Sequence, residues 1–166
     1  MYITEKYWNG YIGGTDDSLT LLEYLAVKQK EKISLTEIFS DTGLDKLCWE
    51  FRRTDQVLEY RDAEDREYVF YYAIDLITDL SALILECKVC GQVNLRELYG
   101  NGFSGKVSNV RITATQEEQE RMNAALTDFV SSPLDYDLSE MCSEEDMREM
   151  AELCEEMRKE LLKGKR

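Results

Sequence analysis

Asp75, Asp79 and Glu86 stand inside the longest apolar stretch of the chain, Tyr68 to Gly91. At about 100° per residue their positions on a helix fall within about 40° of one another. Three carboxylates on one line could hold a hard cation such as magnesium, and a magnesium site of that kind performs phosphoryl transfer or hydrolysis. The same line also reads as the wet stripe that an otherwise apolar helix leaves to solvent. Cys87 and Cys90 form the chain's single close cysteine pair. Cys48, Cys142 and Cys154 offer no second pair and the chain has no histidine, so a four-ligand zinc site is not expected. A redox pair begins a helix, where the dipole lowers the thiol pKa, whereas this one ends a helix and reads as buried structural cysteine. Gly13 and Gly14 precede a helix and could offer backbone amides to a phosphate. The loop has no P-loop lysine and continues into Asp16 and Asp17, which read as helix caps. No cofactor and no resident metal is expected.

The elements that would position these residues read as follows. Ser18 to Lys30 predicts a helix with Leu19, Leu22, Leu25 and Ala26 on its apolar face. Ser34 and Glu37 predict a capping box for a short helix closed by Gly43. Leu47–Arg52, Val57–Arg61 and Tyr68–Tyr72 have strand composition, and the second and third are joined by the charged turn from Asp62 to Arg66. From Ala73 the apolar spacing is helical and runs to Cys90, with Gly91 at the stop. A strand beginning at Ala82 and pairing through Gly91 with Val93–Leu98 is the competing pattern. Val93–Leu98 and Val107–Thr113 complete about five strands. Thr115 with Glu118 predicts a capped helix, and Ser143 to Lys163 repeats Met147, Met150, Ala151, Cys154, Met157 and Leu161 at three-four spacing. Residues 1–166 are expected to form one α+β domain. Its mainly antiparallel sheet of about five strands would carry the central helix, with further helices toward both chain ends.

Thirty-four acidic and twenty basic side chains give a net charge of −14. That charge opposes binding to nucleic acid or to an anionic membrane and favours a basic partner. The opening residues show no charged-then-apolar leader, and no apolar run approaches the ~20 residues of a membrane span, so a cytoplasmic protein with reduced thiols is expected. The missing histidine also removes the commonest general base.

The opening segment Tyr7-Trp8-Asn9-Gly10-Tyr11-Ile12-Gly13-Gly14-Thr15-Asp16-Asp17-Ser18-Leu19, in a small acidic chain, resembles the immunity proteins of bacterial polymorphic toxin systems. That resemblance implies a protein that binds a basic toxin domain, in many cases a nuclease, and blocks it without chemistry of its own. The partner-binding candidates are the first loop, with Trp8, Tyr11, Asp16 and Asp17, and the turn at Asp62, Glu64 and Asp65. Aromatic anchors ringed by carboxylates have the composition of a binding hot spot, although Trp8 and Tyr11 also fit a core and Asp16 a cap. The competing functions are a metal-dependent hydrolase using Asp75, Asp79 and Glu86, and a structural interaction domain.

Overall fold

Local signals set most of the helix boundaries. In the computed structural model, which describes residues 1–163, the helices are α1 (Tyr2–Lys6), α2 (Asp16–Lys28), α3 (Leu35–Thr42), α4 (Ala73–Cys90), α5 (Leu95–Tyr99), α6 (Gln116–Ser131) and α7 (Glu144–Leu162). The strands are short: β1 (Trp8–Gly10), β2 (Ile12–Gly13), β3 (Lys32–Ser34), β4 (Leu58–Arg61), β5 (Glu67–Phe70), β6 (Val93–Asn94) and β7 (Asn109–Thr113). Ser34, Asn94, Thr115 and Ser143 each accept a hydrogen bond from the amide three residues on, which satisfies an N–H that the helix itself cannot. In α6 the exchange is reciprocal, with Glu118 reaching back to the Thr115 amide at 2.9 Å.

The central helix α4 is buried almost all round. Every residue from Ala73 to Leu83 is buried, as are Leu85 and Glu86. It is packed by α1, α2, α6 and α7 and by strands β2, β6 and β7. Gly91 ends it with φ +88° and donates its N–H to the Cys87 carbonyl at 2.9 Å, so the competing strand from Ala82 does not form. A left-handed residue there would strain any side chain with a Cβ.

The α+β class holds, but the strands make three small sheets in place of one five-stranded sheet. β1 and β2 pair in parallel, β3 and β6 flank β7 on either side, and β4 pairs antiparallel with β5. β3 runs parallel to β7 while β6 runs antiparallel to it. Leu47–Arg52 is not a strand: a 3₁₀ turn occupies Leu44–Leu47, and Cys48 and Trp49 take φ of +52° and +63°. Two consecutive left-handed residues cannot continue a pleat. Phe51 nonetheless reaches the core and stacks edge-on against Trp49 and Phe39. Val93–Leu98 yields only two strand residues because the Asn94 side chain caps α5. In α2 the buried face is Leu21, Leu22, Tyr24 and Leu25, and Leu19 lies outside it.

Candidate functional site

The three carboxylates proposed as a cation site are buried, and two of them hold backbone amides. Glu86 accepts the amide of Ile3 at 2.9 Å and that of Tyr2 at 3.3 Å, both among the N-terminal donors that α1 cannot satisfy itself. Asp79 accepts the Gly13 amide at 2.9 Å and the Ser18 hydroxyl at 2.7 Å. The Oδ1 atom of Asp75 is buried with no hydrogen-bond partner. Glu86 therefore serves α1 while Asp79 serves Gly13 and Ser18, and among the described residues no group of three or more Cys, Asp or Glu side chains is set to hold a metal. The reading of this line as a solvated stripe is also corrected, since Asp75, Asp79 and Glu86 are 3%, 1% and 1% exposed. From Ala73 to Leu83 α4 is covered on every side, because α1, α2 and α7 close over it.

Burial governs the ionisation of this cluster. Asp75 is pushed up to about 8, first by desolvation and then by the charges of Asp79, Asp17 and Asp137. Asp79 is pushed up to about 7 by desolvation, against the bonds from Ser18 and Gly13 that favour its anion.

The first loop divides into a buried and an exposed part. Trp8 is core, and its indole lies on Gly13, where a Cβ would sit 2.1 Å from the ring. Gly13 also has φ +80°, while a Cβ on Gly14 would meet the Gly10 carbonyl at 2.4 Å. Close packing thus accounts for both glycines. Thr15, not Asp16 or Asp17, caps α2, in a reciprocal box with Ser18. Asp17 is buried and accepts the amides of Tyr71 and Tyr72, each at 2.9 Å. Desolvation raises its pKa, and those two amides oppose the rise. Tyr11 is half-buried and donates its hydroxyl to Glu149 and to Asp146, which raises the phenol's pKa. Asp16 is exposed at the first turn of α2.

In the β4–β5 hairpin Asp62 builds the turn. Its carboxylate accepts the amides of Glu64 at 2.9 Å and Arg66 at 3.0 Å, and the Tyr68 hydroxyl at 3.1 Å. The Arg66 amide bond is the largest influence in holding its pKa down. Glu64 and Asp65 stay exposed at the tip, the first beside Arg66 and the second beside Arg61. The structure thus brings Asp16 and the amide of Tyr71 to one end of the hairpin and Glu64 and Asp65 to the other. Exposed Val57 and Tyr71, at the end of the hairpin away from the Asp62 turn, escaped the sequence reading. The outward alternation Val57, Glu59, Arg61 and Glu67, Val69, Tyr71 was the signal available for them.

Elsewhere an open groove of about 650 Å³ runs between Lys46, Arg52, Arg53, Leu134, Asp135 and Glu140. Ion pairs occupy its walls, Arg52 with Asp128 at 2.7 Å and Asp135 at 3.4 Å, and Arg53 with Glu140 at 3.5 Å. The five cysteines are free thiols. Cys87 packs against β7, where its sulfur accepts the Ile112 amide at 3.4 Å. Cys90 is exposed, so the pair is not buried as a unit; the last turn of α4 passes beyond the elements that cover Cys87.

The model of the family described as Immunity protein 68 matches residues 2–161. The chain belongs to this family. No curated protein and no solved structure matches it. The Immunity protein 68 match spans α1 through nearly all of α7, so the buried carboxylates and the hairpin both lie within the matched region. It makes the protein an immunity protein of a toxin system. Among the described residues, no helix is long and apolar enough to cross a membrane.

Proposed function

We propose that this protein neutralises a basic cognate toxin domain in the bacterial cytoplasm by stoichiometric binding, with no chemistry of its own. The carrying observation is the match to Immunity protein 68 over residues 2–161. The charge of −14 supplies the reason for a basic partner, because opposite fields accelerate encounter and align the surfaces before contact. A nuclease domain, whose own substrate is polyanionic, is the toxin class that fits such a surface.

Contact falls to the carboxylate-rich ends described above, with Asp16 and Tyr11 on the first loop and Glu64 and Asp65 at the hairpin tip. Trp8, Asp17 and Asp62 hold those segments in shape from behind. The test is co-expression of the toxin domain encoded directly upstream of this chain's gene. The expected result is restored growth of the host and recovery of the two proteins as a one-to-one complex. A toxin that still kills, with no complex formed, would remove this reading.

A further inference from the structure

The β4–β5 hairpin has one face in the core and one face that, among the described residues, is largely open to solvent. Its ladder pairs Leu58 with Phe70, Glu59 with Val69, Tyr60 with Tyr68 and Arg61 with Glu67. Leu58, Tyr68 and Phe70 are buried, and Tyr60 is half-buried with its ring 5.0 Å from that of Tyr24. Side chains alternate across a strand, so Glu59, Arg61, Glu67 and Val69 point the other way. The ladder ends at Leu58 and Phe70, and Val57 and Tyr71 are the next residues beyond it at the open end of the hairpin. Both are large and both are open to solvent, at 70% and 65% exposure. A lone exposed apolar side chain requires no explanation, but two that follow directly on the paired strands at one end of the hairpin mark a patch.

Carboxylates ring the patch. From Asp55 to Glu67 there are six acidic and two basic side chains. Arg61 is engaged with Glu67 across the strands and with Asp65, and Arg66 with Asp62 and Glu64. Asp16 is exposed one residue before Asp17, which holds the Tyr71 and Tyr72 amides. An aromatic and a branched aliphatic side chain at the centre, with an acidic rim, match the anatomy of a hot spot for a basic protein surface. The backbone beneath is fixed by the Asp17 bonds and by Thr54, whose hydroxyl accepts the Ala73 amide at 3.0 Å. Little ordering entropy would therefore be lost on docking.

We infer that the outer face of this hairpin, centred on Val57 and Tyr71, is the surface on which the basic toxin domain docks. This inference rests on the immunity reading above. Asp16 on one side and Glu64 and Asp65 on the other are then the steering charges around one contact.

The experiment measures affinity for the upstream-encoded toxin domain, purified in an inactive form, by calorimetry. Val57→Ser combined with Tyr71→Ser is expected to lose affinity about 100-fold, the scale of a disrupted hot spot. Val89→Ser serves as the control, since Val89 is 52% exposed near the far end of α4, about 24 Å along the helix from its start. It is expected to change affinity by less than about threefold, the range of a peripheral position. Circular dichroism checks the fold of each variant. Oxidative footprinting of the unaltered pair gives a second readout, in which Tyr71 is protected by the toxin. Unchanged affinity in the double variant, or a Tyr71 equally reactive in the complex, overturns this docking face and leaves the immunity reading intact. If the unaltered protein binds no toxin domain, both readings fall. Self-association that the double variant abolishes while toxin affinity survives assigns the face to a second copy of the chain and overturns the proposal.

Discussion

Replacing Asp75 by Asn should stabilise the protein, and by an amount that depends on pH. Asp75 is 3% exposed, and its Oδ1 atom has no hydrogen-bond partner. It faces charge from Asp79 on its own helix, Asp17 on α2 and Asp137 in the segment before α7, with Thr15 as the favourable neighbour. Cys142 and Cys154 also lie within its field. Its pKa rises from 3.8 to about 8 on folding. A raised folded value means that the folded protein keeps a proton the unfolded chain has released. The stability from this group is complete below pH 3.8 and is lost as pH climbs toward 8. Across that window the loss is about 1.4 kcal/mol per pH unit. At pH 7 the accumulated cost is about 4 kcal/mol, and at pH 5 about 1.5 kcal/mol. Asparagine has the shape of the protonated carboxyl and does not titrate. Its amide must find a place in the same cavity, which costs about 1 kcal/mol if one N–H stays unpaired. The expected gain is therefore about 3 kcal/mol at pH 7 and close to zero at pH 5. For a chain of this size the gain at pH 7 corresponds to a rise in Tm of about 6–12 °C. Urea unfolding of both proteins between pH 5 and 8 measures it. A difference that does not grow with pH, or a variant less stable throughout, refutes the assignment of Asp75 as a buried acid held protonated at neutral pH.

Gly13→Ala should cost at least about 2 kcal/mol, because the new methyl collides with the Trp8 indole and the backbone is left-handed there; thermal unfolding followed by tryptophan fluorescence measures the loss. Glu86→Gln keeps the shape but replaces one acceptor oxygen with a donor facing the amides of Tyr2 and Ile3. Amide exchange should accelerate in α1 before it changes in α7, and equal protection in α1 would contradict the capping role. In the native protein Cys48 should react rapidly with a thiol reagent, Cys90 more slowly because desolvation and Glu86 raise its pKa, and Cys154 only on unfolding, as counted by thiol titration with and without denaturant. The association rate with the toxin domain should fall steeply as screening shortens from about 30 Å at 0.01 M salt to about 8 Å at 0.15 M. A rate indifferent to salt, measured by stopped flow, would remove steering from the mechanism.

The chain's own residues were enough to determine α3, α6, α7 and the first half of α4, because the signals are local, while the second half of α4, from Ala82, competed with a strand until the fold decided it. Ser34, Thr115 and Ser143 bond within three residues of themselves, and Gly91 stops α4 by its own left-handed backbone. The α+β class was equally legible, as was the net charge of −14. The strands were less so, since Leu47–Arg52 has strand composition and is turned aside by two left-handed residues that no local pattern marks. What only the tertiary structure decided was the fate of the carboxylates. Helical spacing put Asp75, Asp79 and Glu86 on one line, but whether that line faces water depends on elements distant in the chain. The amide that Glu86 accepts from Ile3 is 83 positions away, and those that Asp17 accepts are 54 and 55 away. Trp8 became core for the same reason, through contacts closed around it by the fold, while Val57 and Tyr71, beyond the ends of a two-stranded ladder, stay exposed among the described residues. Spacing specifies which residues share a face; the packing of remote segments, driven by the apolar area they remove from water, decides which faces are covered.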